Sequence, residues 1–160
     1  MNYNGKNDID TLSQFSWNFV SIGAHINTLR HVWAKALGVS GPQWMIIVAL
    51  GDLDNGEGVP VNVVSKMLHV DPSFVTTQSK LLEKKRFILR KPSIEDARIV
   101  RMSLTDNTYK HLASLASQQK ALNEFIFAEF SDRELADLTD RLASLKKRFE
   151  KACLKVVVDF

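Results

Sequence analysis

Leu12, Phe15, Phe19, Ile22, Ile26, Leu29, Trp33 and Ala36 recur at alternating spacings of three and four residues. Such spacing lays one apolar stripe along a helix of more than three heptads, the pattern of a coiled-coil seam. The chain closes on a second seam, Leu135, Leu138, Leu142, Leu145, Phe149, Ala152 and Val156, again at threes and fours. Any fold for this chain has to find apolar neighbours for two long helical stripes.

Between the seams the periodicity shortens. "GVSGP" ends the first helix, and Ser40 with Gln43 makes a capping-box pattern ahead of "QWMIIVALGDL", a short and largely buried helix. "DLDNGEG" reads as a turn; its glycine is misplaced for a calcium loop and no glutamate closes it. "PVNVVSKML" is a short helix with Pro60 near its start, and "HV" is a tight turn. Asp71 caps the next helix, with Pro72 at its first position, and that helix runs to about Lys85. "FILRK" and "IVRMSL" read as strands joined by "PSIEDA". On the second, Val100, Met102 and Leu104 share one face while Ile99, Arg101 and Ser103 share the other. Thr105 can cap a helix carrying Leu112, Leu115, Leu122 and Ile126, and Ser131 with Glu134 makes another capping box. The first seven or eight residues are polar and read as disordered.

The 160 residues suffice for one domain with a real core. No apolar run reaches the ~18–20 residues of a membrane helix. The polar start lacks the regions of a signal peptide, and a lone Cys153 excludes an internal disulfide framework. The expectation is a cytoplasmic protein with no membrane partner. Net charge is +3, but residues 80–101 hold eight basic residues (Lys80, Lys84, Lys85, Arg86, Arg90, Lys91, Arg98, Arg101) against three acids. The rest of the chain is therefore net negative. A basic stretch alone is commonly a solvated face, so its position decides. It coincides with helix, tight turn, helix and hairpin, the order of a winged helix-turn-helix. The second helix of such a motif enters the DNA major groove by its N-terminal end, and the hairpin can reach the neighbouring minor groove.

At these residues the chain resembles the MarR family of bacterial transcription regulators (multiple antibiotic resistance regulators). The resemblance spans residues 12–149, and its most specific block is "LLEKKRFILRKPSIEDARIVRMSLT". The block matches the family's leucine–glutamate–basic helix end, the arginine closing the first strand, the wing motif of Asp96 and Arg98, and the helix start at Leu104 and Thr105. The resemblance implies a mainly α fold in a single MarR-like domain, residues 1–160. Within it, residues 40–104 form a winged helix-turn-helix lobe with a two-stranded wing. Long N- and C-terminal helices, residues 8–37 and 105–160, form a homodimerisation region. It further implies a non-enzymatic homodimer without cofactor that binds a near-palindromic operator in double-stranded DNA, a repressor released by a small-molecule effector.

Carried over residue by residue, Ser73, Phe74, Thr76, Thr77 and Lys80 face DNA, while Val75, Ser79 and Leu82 face the core. Hydroxyls meet base edges or phosphates, and Phe74 can touch a thymine methyl. Lys84 and Arg90 contact phosphates, with Lys91 in the same DNA-facing set. Arg98 probes the minor groove, whose negative potential favours guanidinium, and Asp96 holds it by a charge-assisted hydrogen bond. A purely local turn clamp accounts for the same pair. The chain departs from the family at Arg86, where glycine is usual. A left-handed residue there costs ~1–2 kcal/mol, so either the helix ends differently or a phosphate contact by Arg86 offsets the strain. Thr77 and Leu81 stand where basic residues are frequent, which shifts expected specificity toward the wing and DNA shape. Thr108 replaces another glycine, with little expected consequence.

Family ligand pockets lie between the dimerisation helices and the DNA-binding lobe. There His25, Arg30, His31, Trp33 and Trp44 would offer aromatic walls and a fixed cation to a planar aromatic carboxylate. Trp33 on the seam and Trp44 in a buried helix fit plain core packing as well. The histidines at 25, 31, 69 and 111 form no i, i+4 pair and have no cysteine neighbour, so no metal site is expected. Cys153, beside the seam, is expected to be a buried, inert thiol. No phosphate loop, zinc-protease helix or nucleophile elbow occurs, so no catalytic residue is expected. The rival reading is a winged-helix protein-interaction module without DNA binding. The arginine-poor recognition helix leaves it open, and the basic wing argues against it.

Overall fold

Local capping chemistry sets most helix boundaries. The computed structural model describes the backbone of residues 5–159 and the side chains of residues 10–156. In order it contains α1 (Gly5–Ala36), α2 (Gly41–Leu53), β1 (Val59–Pro60), α3 (Val61–Leu68), α4 (Pro72–Lys84), β2 (Ile88–Pro92), β3 (Val100–Leu104), α5 (Asp106–Ile126) and α6 (Asp132–Asp159). At α2 the Ser40 hydroxyl accepts the Gln43 N–H while the Gln43 side chain accepts the Ser40 N–H. Ser131 and Glu134 do the same at α6, and the Ser131 hydroxyl, with its backbone N–H second, holds the Glu134 carboxyl below its ordinary value. α1 begins at Gly5, inside the stretch read as disordered; residues 1–4 lie outside the described residues.

The chain divides into two units, Met1–His111 and Leu112–Phe160. The core of the first is built around α2, which is apolar on every side and therefore suits a helix enclosed by others. Ile46, Ile47 and Leu50 of α2, Val64 of α3, Val75 and Leu82 of α4, Ile88 of β2 and Met102 of β3 are all 0–1% exposed. Each such side chain contributes roughly 1.5–3 kcal/mol on burial. The antiparallel register Ile88↔Leu104 and Arg90↔Met102 puts the second strand's predicted apolar face against this core.

The wing gains a strand that the sequence did not show. Val59 and Pro60 pair with Met102 and Arg101, making a three-stranded sheet in the order β1-β3-β2. Pro60 is thus the extended residue capping α3 and stands outside the helix. The preceding loop makes this pairing possible. The Asp54 carboxylate accepts the N–H groups of Gly56 and Gly58, both at 2.9 Å. Gly58 sits at φ +74°, where an added Cβ would come within 3.3 Å of both Arg101 Cβ and the Met102 carbonyl.

α4 ends through Arg86 in the left-handed region, φ 63°. The Phe87 N–H donates to the Leu82 carbonyl at 3.0 Å and the Arg86 N–H to the Glu83 carbonyl at 2.9 Å, a Schellman closure that normally employs glycine. The turn is kept and the strain accepted. Arg86→Gly is therefore expected to raise the unfolding free energy by about 1 kcal/mol in denaturant titration, the local strain relieved less the added freedom of the unfolded chain. A less stable variant would show that the arginine side chain contributes more than its backbone costs. His69 closes α3 in the same way at φ 52°.

Beyond Arg86, the Thr105 hydroxyl donates to the Arg86 carbonyl at 3.0 Å and receives the Thr108 N–H at 3.3 Å, capping α5. Thr108, expected to matter little, is fully buried, and its hydroxyl donates to the Phe87 carbonyl. It ties the start of α5 to the entry of the wing, which a glycine could not do.

The terminal seams remain open in the single chain. Leu12 is 68% exposed, Ile22 57% and Phe149 60%. Cys153 is exposed as well, correcting the expectation of a buried thiol: its side of α6 is left uncovered. No single described helix is long and apolar enough to cross a membrane.

Candidate nucleic-acid interface

The helix-turn-helix is α3, the left-handed turn at His69, and α4. Asp71 caps α4 by accepting the Ser73 N–H at 2.7 Å. Hydrogen bonds from the Ser73 side chain first, and its backbone second, hold the Asp71 carboxyl below its ordinary value. Behind the cap the helix is two-faced. Val75, Ser79 and Leu82 are wholly buried, while Ser73, Phe74, Thr77 and Lys80 are exposed and Thr76 is half-buried. Apart from Phe74, the outward row is polar and short-chained over the first two turns, the part of a recognition helix that meets base edges. Thr77 already donates its hydroxyl to the Ser73 carbonyl at 3.0 Å, so toward a ligand it is an acceptor.

Across from this row stands the wing. Ser93 N–H to Ile99 carbonyl, 2.7 Å, closes the base of its loop. Asp96 Oδ1 then accepts both the Arg98 N–H at 2.9 Å and the Arg98 Nε–H at 3.2 Å. The Arg98 side chain is 93% exposed, so the ion pair contributes little energy and serves to aim the guanidinium outward. The turn clamp and the positioning of Arg98 are one arrangement.

The remaining basic residues do not share one surface. Arg90 lies on the core face of the wing, with its side chain 11% exposed and Nη1 3.8 Å from Glu83 Oε2. Lys91, next along β2, points to the opposite face and pairs across the ladder with Arg101, beside Gly58. Lys84 and Arg86 are exposed at the far end of α4. A cleft of about 310 Å³ joins α3, α4 and the wing; Asn62, Pro72, Thr76, Arg90, Arg98 and Ile99 line it. Asn62 was not among the predicted contacts, because the face of a two-turn helix is fixed only by its packing. Ile94, fully exposed in the wing loop, was also passed over.

A second cavity of about 450 Å³ lies among α1, α2, α3 and α4, walled by Asn27, Arg30, His31, Met45, Leu68 and Phe74 among others. It gathers only two of the predicted ligand residues, Arg30 and His31. Trp44 is in the core at 4% exposure, Trp33 is half-buried and His25 exposed, and none of the three lines this cavity. His31 Nδ1 lies 2.7 Å from the Asn27 carbonyl, which orients the ring. Phe74 joins this wall to the outward row of α4.

A capped recognition helix, a three-stranded sheet and a wing that presents one arginine define a winged helix-turn-helix protein. The sequence profile of the MarR family matches residues 40–100. The HTH-type transcriptional repressor MdtR of Bacillus subtilis (strain 168) is 26% identical over 112 residues, 68% of this chain and 72% of that protein. The same fold recurs in Streptococcus pneumoniae FabT in complex with DNA (TM-score 0.68, 24% identity, covering 88% of this chain and 99% of that one). It recurs too in the S. aureus MepR–DNA complex (TM-score 0.69, 19% identity, covering 84% and 97%). The MarR-family match over residues 40–100, together with the likeness to a transcriptional repressor, supports a DNA-binding transcription regulator.

Proposed function

We propose that this protein is a homodimeric repressor that binds a near-palindromic operator and is released by a small anionic ligand. The observation that carries the DNA part is the exposed outer row of α4, beside which Thr76 of the same helix shares a cleft with an arginine held outward by Asp96. In this reading Ser73, Phe74, Thr76, Thr77 and Lys80 enter the major groove, Arg98 the adjacent minor groove, and Lys84, Arg86 and Lys91 meet phosphates. Residues 40–104 act as the DNA-binding lobe of the single domain, and the exposed seams of residues 8–37 and 105–160 pair two copies. Two-fold pairing matches a palindromic site, since each half-site then meets one recognition helix. Kinship with a repressor favours repression.

The cavity behind α4 supplies the ligand part. Arg30 would take a carboxylate, Met45 and Leu68 an apolar or aromatic body, and the occupant would press on Phe74. A ligand that favours wrongly spaced recognition helices weakens operator binding by its differential affinity for the two states.

Binding of the purified protein to genomic fragments, including the region upstream of its own gene, tests this reading across a salt series. Fragment-selective binding that falls steeply with salt is expected, because each neutralised phosphate releases counterions. Binding without preference and without salt response would leave the protein-interaction reading.

A further inference from the structure

Residues 93–99 of the wing loop read "SIEDARI", two acids against one base. The tip is therefore net negative, and Lys91 and Arg101 stand below it, paired across the ladder. What the tip displays besides Arg98 is apolar surface. Ile94 is fully exposed, more so than any other large apolar side chain among the described residues. Ala97 and Ile99 are exposed in the same loop.

One exposed isoleucine is ordinary on a protein surface. This one is displayed by a loop that is fixed on both sides of it. Ser93, just before it, is 8% exposed, and its N–H donates to the Ile99 carbonyl at 2.7 Å. After it, the Asp96 carbonyl accepts the Ile99 N–H and the Asp96 carboxylate the Arg98 N–H, both at 2.9 Å. Holding the loop beforehand removes part of the ordering cost of binding. Ile94 borders the cavity on the outer face of the wing, with Gly58, Lys91 and Ser103. Ile99 and Arg98 border the cleft toward α4. The tip thus offers apolar side chains on both sides, which suits insertion between the two sugar walls of a minor groove.

In that groove an A·T pair presents only acceptors, whereas a G·C pair adds the guanine N2 amine as a donor on the floor. An isoleucine packed there has no acceptor for the amine, and a buried donor left unpaired is costly. Over an A·T pair the same position holds the adenine C2–H, which an apolar side chain can cover. A guanidinium responds to the potential and width of the groove. An apolar side chain responds to the amine itself.

We propose that Ile94 is a specificity-determining residue that packs on the minor-groove floor and requires an A·T pair beneath it. Arg98 supplies the attraction and Ile94 the exclusion of guanine. The proposal rests on the DNA-binding reading and adds to it one residue and the base pair it selects.

The test uses the full chain and the DNA fragment selected in the salt series. Adenines of each half-site are replaced one at a time by 2,6-diaminopurine, which adds the N2 amine and leaves the major-groove edge unchanged. At one position per half-site the replacement should weaken wild-type binding roughly 5- to 100-fold. A G·C pair there should weaken it alike, and inosine·C, which lacks the amine, should restore it to within about twofold. Ile94→Ser should keep the wild-type thermal midpoint and lose about three- to tenfold in affinity for the unmodified fragment, with an unchanged salt slope. Its diaminopurine penalty should shrink to within about twofold, because the serine hydroxyl can accept from the amine. Ile94→Leu should retain the penalty, and Arg98→Ala should retain it while lowering the slope. A wild type that binds selectively but shows no penalty at any adenine overturns the assignment and leaves the regulator intact. A penalty that survives Ile94→Ser, or that Arg98→Ala removes, overturns it too. A wild type that selects no fragment removes the regulator itself, and the proposal with it.

Discussion

Leu142→Asp is expected to give a folded monomer that has lost operator binding. Leu142 is mid-seam on α6 and 37% exposed in the single chain. In a monomer the substitution is close to a surface change, within about 0.5 kcal/mol apart from a similar loss of helix propensity. Across a two-fold seam the same change buries two carboxylates in apolar surroundings, costing several kcal/mol and raising the dimer dissociation constant at least about 100-fold. Sedimentation across a dilution series separates these cases. A wild-type dimer would remove α6 from the interface, and a monomer that keeps full operator affinity would overturn two-fold recognition.

Arg98→Ala tests the other end of the molecule. The side chain is 93% exposed and its partner among the described residues, Asp96, also holds the backbone N–H of residue 98, so the wing loop survives the change. Stability and dimerisation should stay within about 0.5 kcal/mol of wild type. Operator affinity should fall roughly 10- to 100-fold, with the salt slope reduced by about one, because a minor-groove guanidinium adds both a phosphate-field contact and shape readout. Arg98→Lys should recover only part of the loss, since an ammonium is more strongly hydrated and lacks the planar fork. Unchanged DNA affinity in the alanine variant would remove the wing from recognition.

These expectations draw on features that differ in how openly the sequence displays them. The caps at Ser40, Asp71 and Ser131 were legible because capping chemistry is complete within four residues of chain. The alternation of Val100, Met102 and Leu104 foretold their common face for the same reason: side-chain direction in a strand has a period of two. Strand β1 was not legible. Val59 and Pro60 are extended only because β3 offers a free edge and Gly58 lets the loop approach it. The basic residues were visible as a cluster, yet a cluster in sequence spans both faces of a hairpin. Register sends Lys91 to one side and Arg90 to the other.

The candidate ligand set shows the same division. Tryptophans attract attention as aromatic walls, but Trp44 belongs to a helix enclosed on all sides and is used up in the core. The cavity is walled by residues of little individual promise, such as Met45 and Leu68, that four helices bring together. The thiol of Cys153 reads as buried beside a seam and is exposed, because burial along α6 depends on what covers the helix and not on its own pattern.

By itself the sequence determined the helical seams, the helix caps, the order helix-turn-helix-hairpin and the pairing of Asp96 with Arg98, all of which depend on periodicity or on contacts between near neighbours. Tertiary structure alone decided the third strand, the walls of both cavities and the enclosure of Arg90. Each of these is set by packing between segments distant in the chain, where the burial of one side chain depends on the position of every element around it.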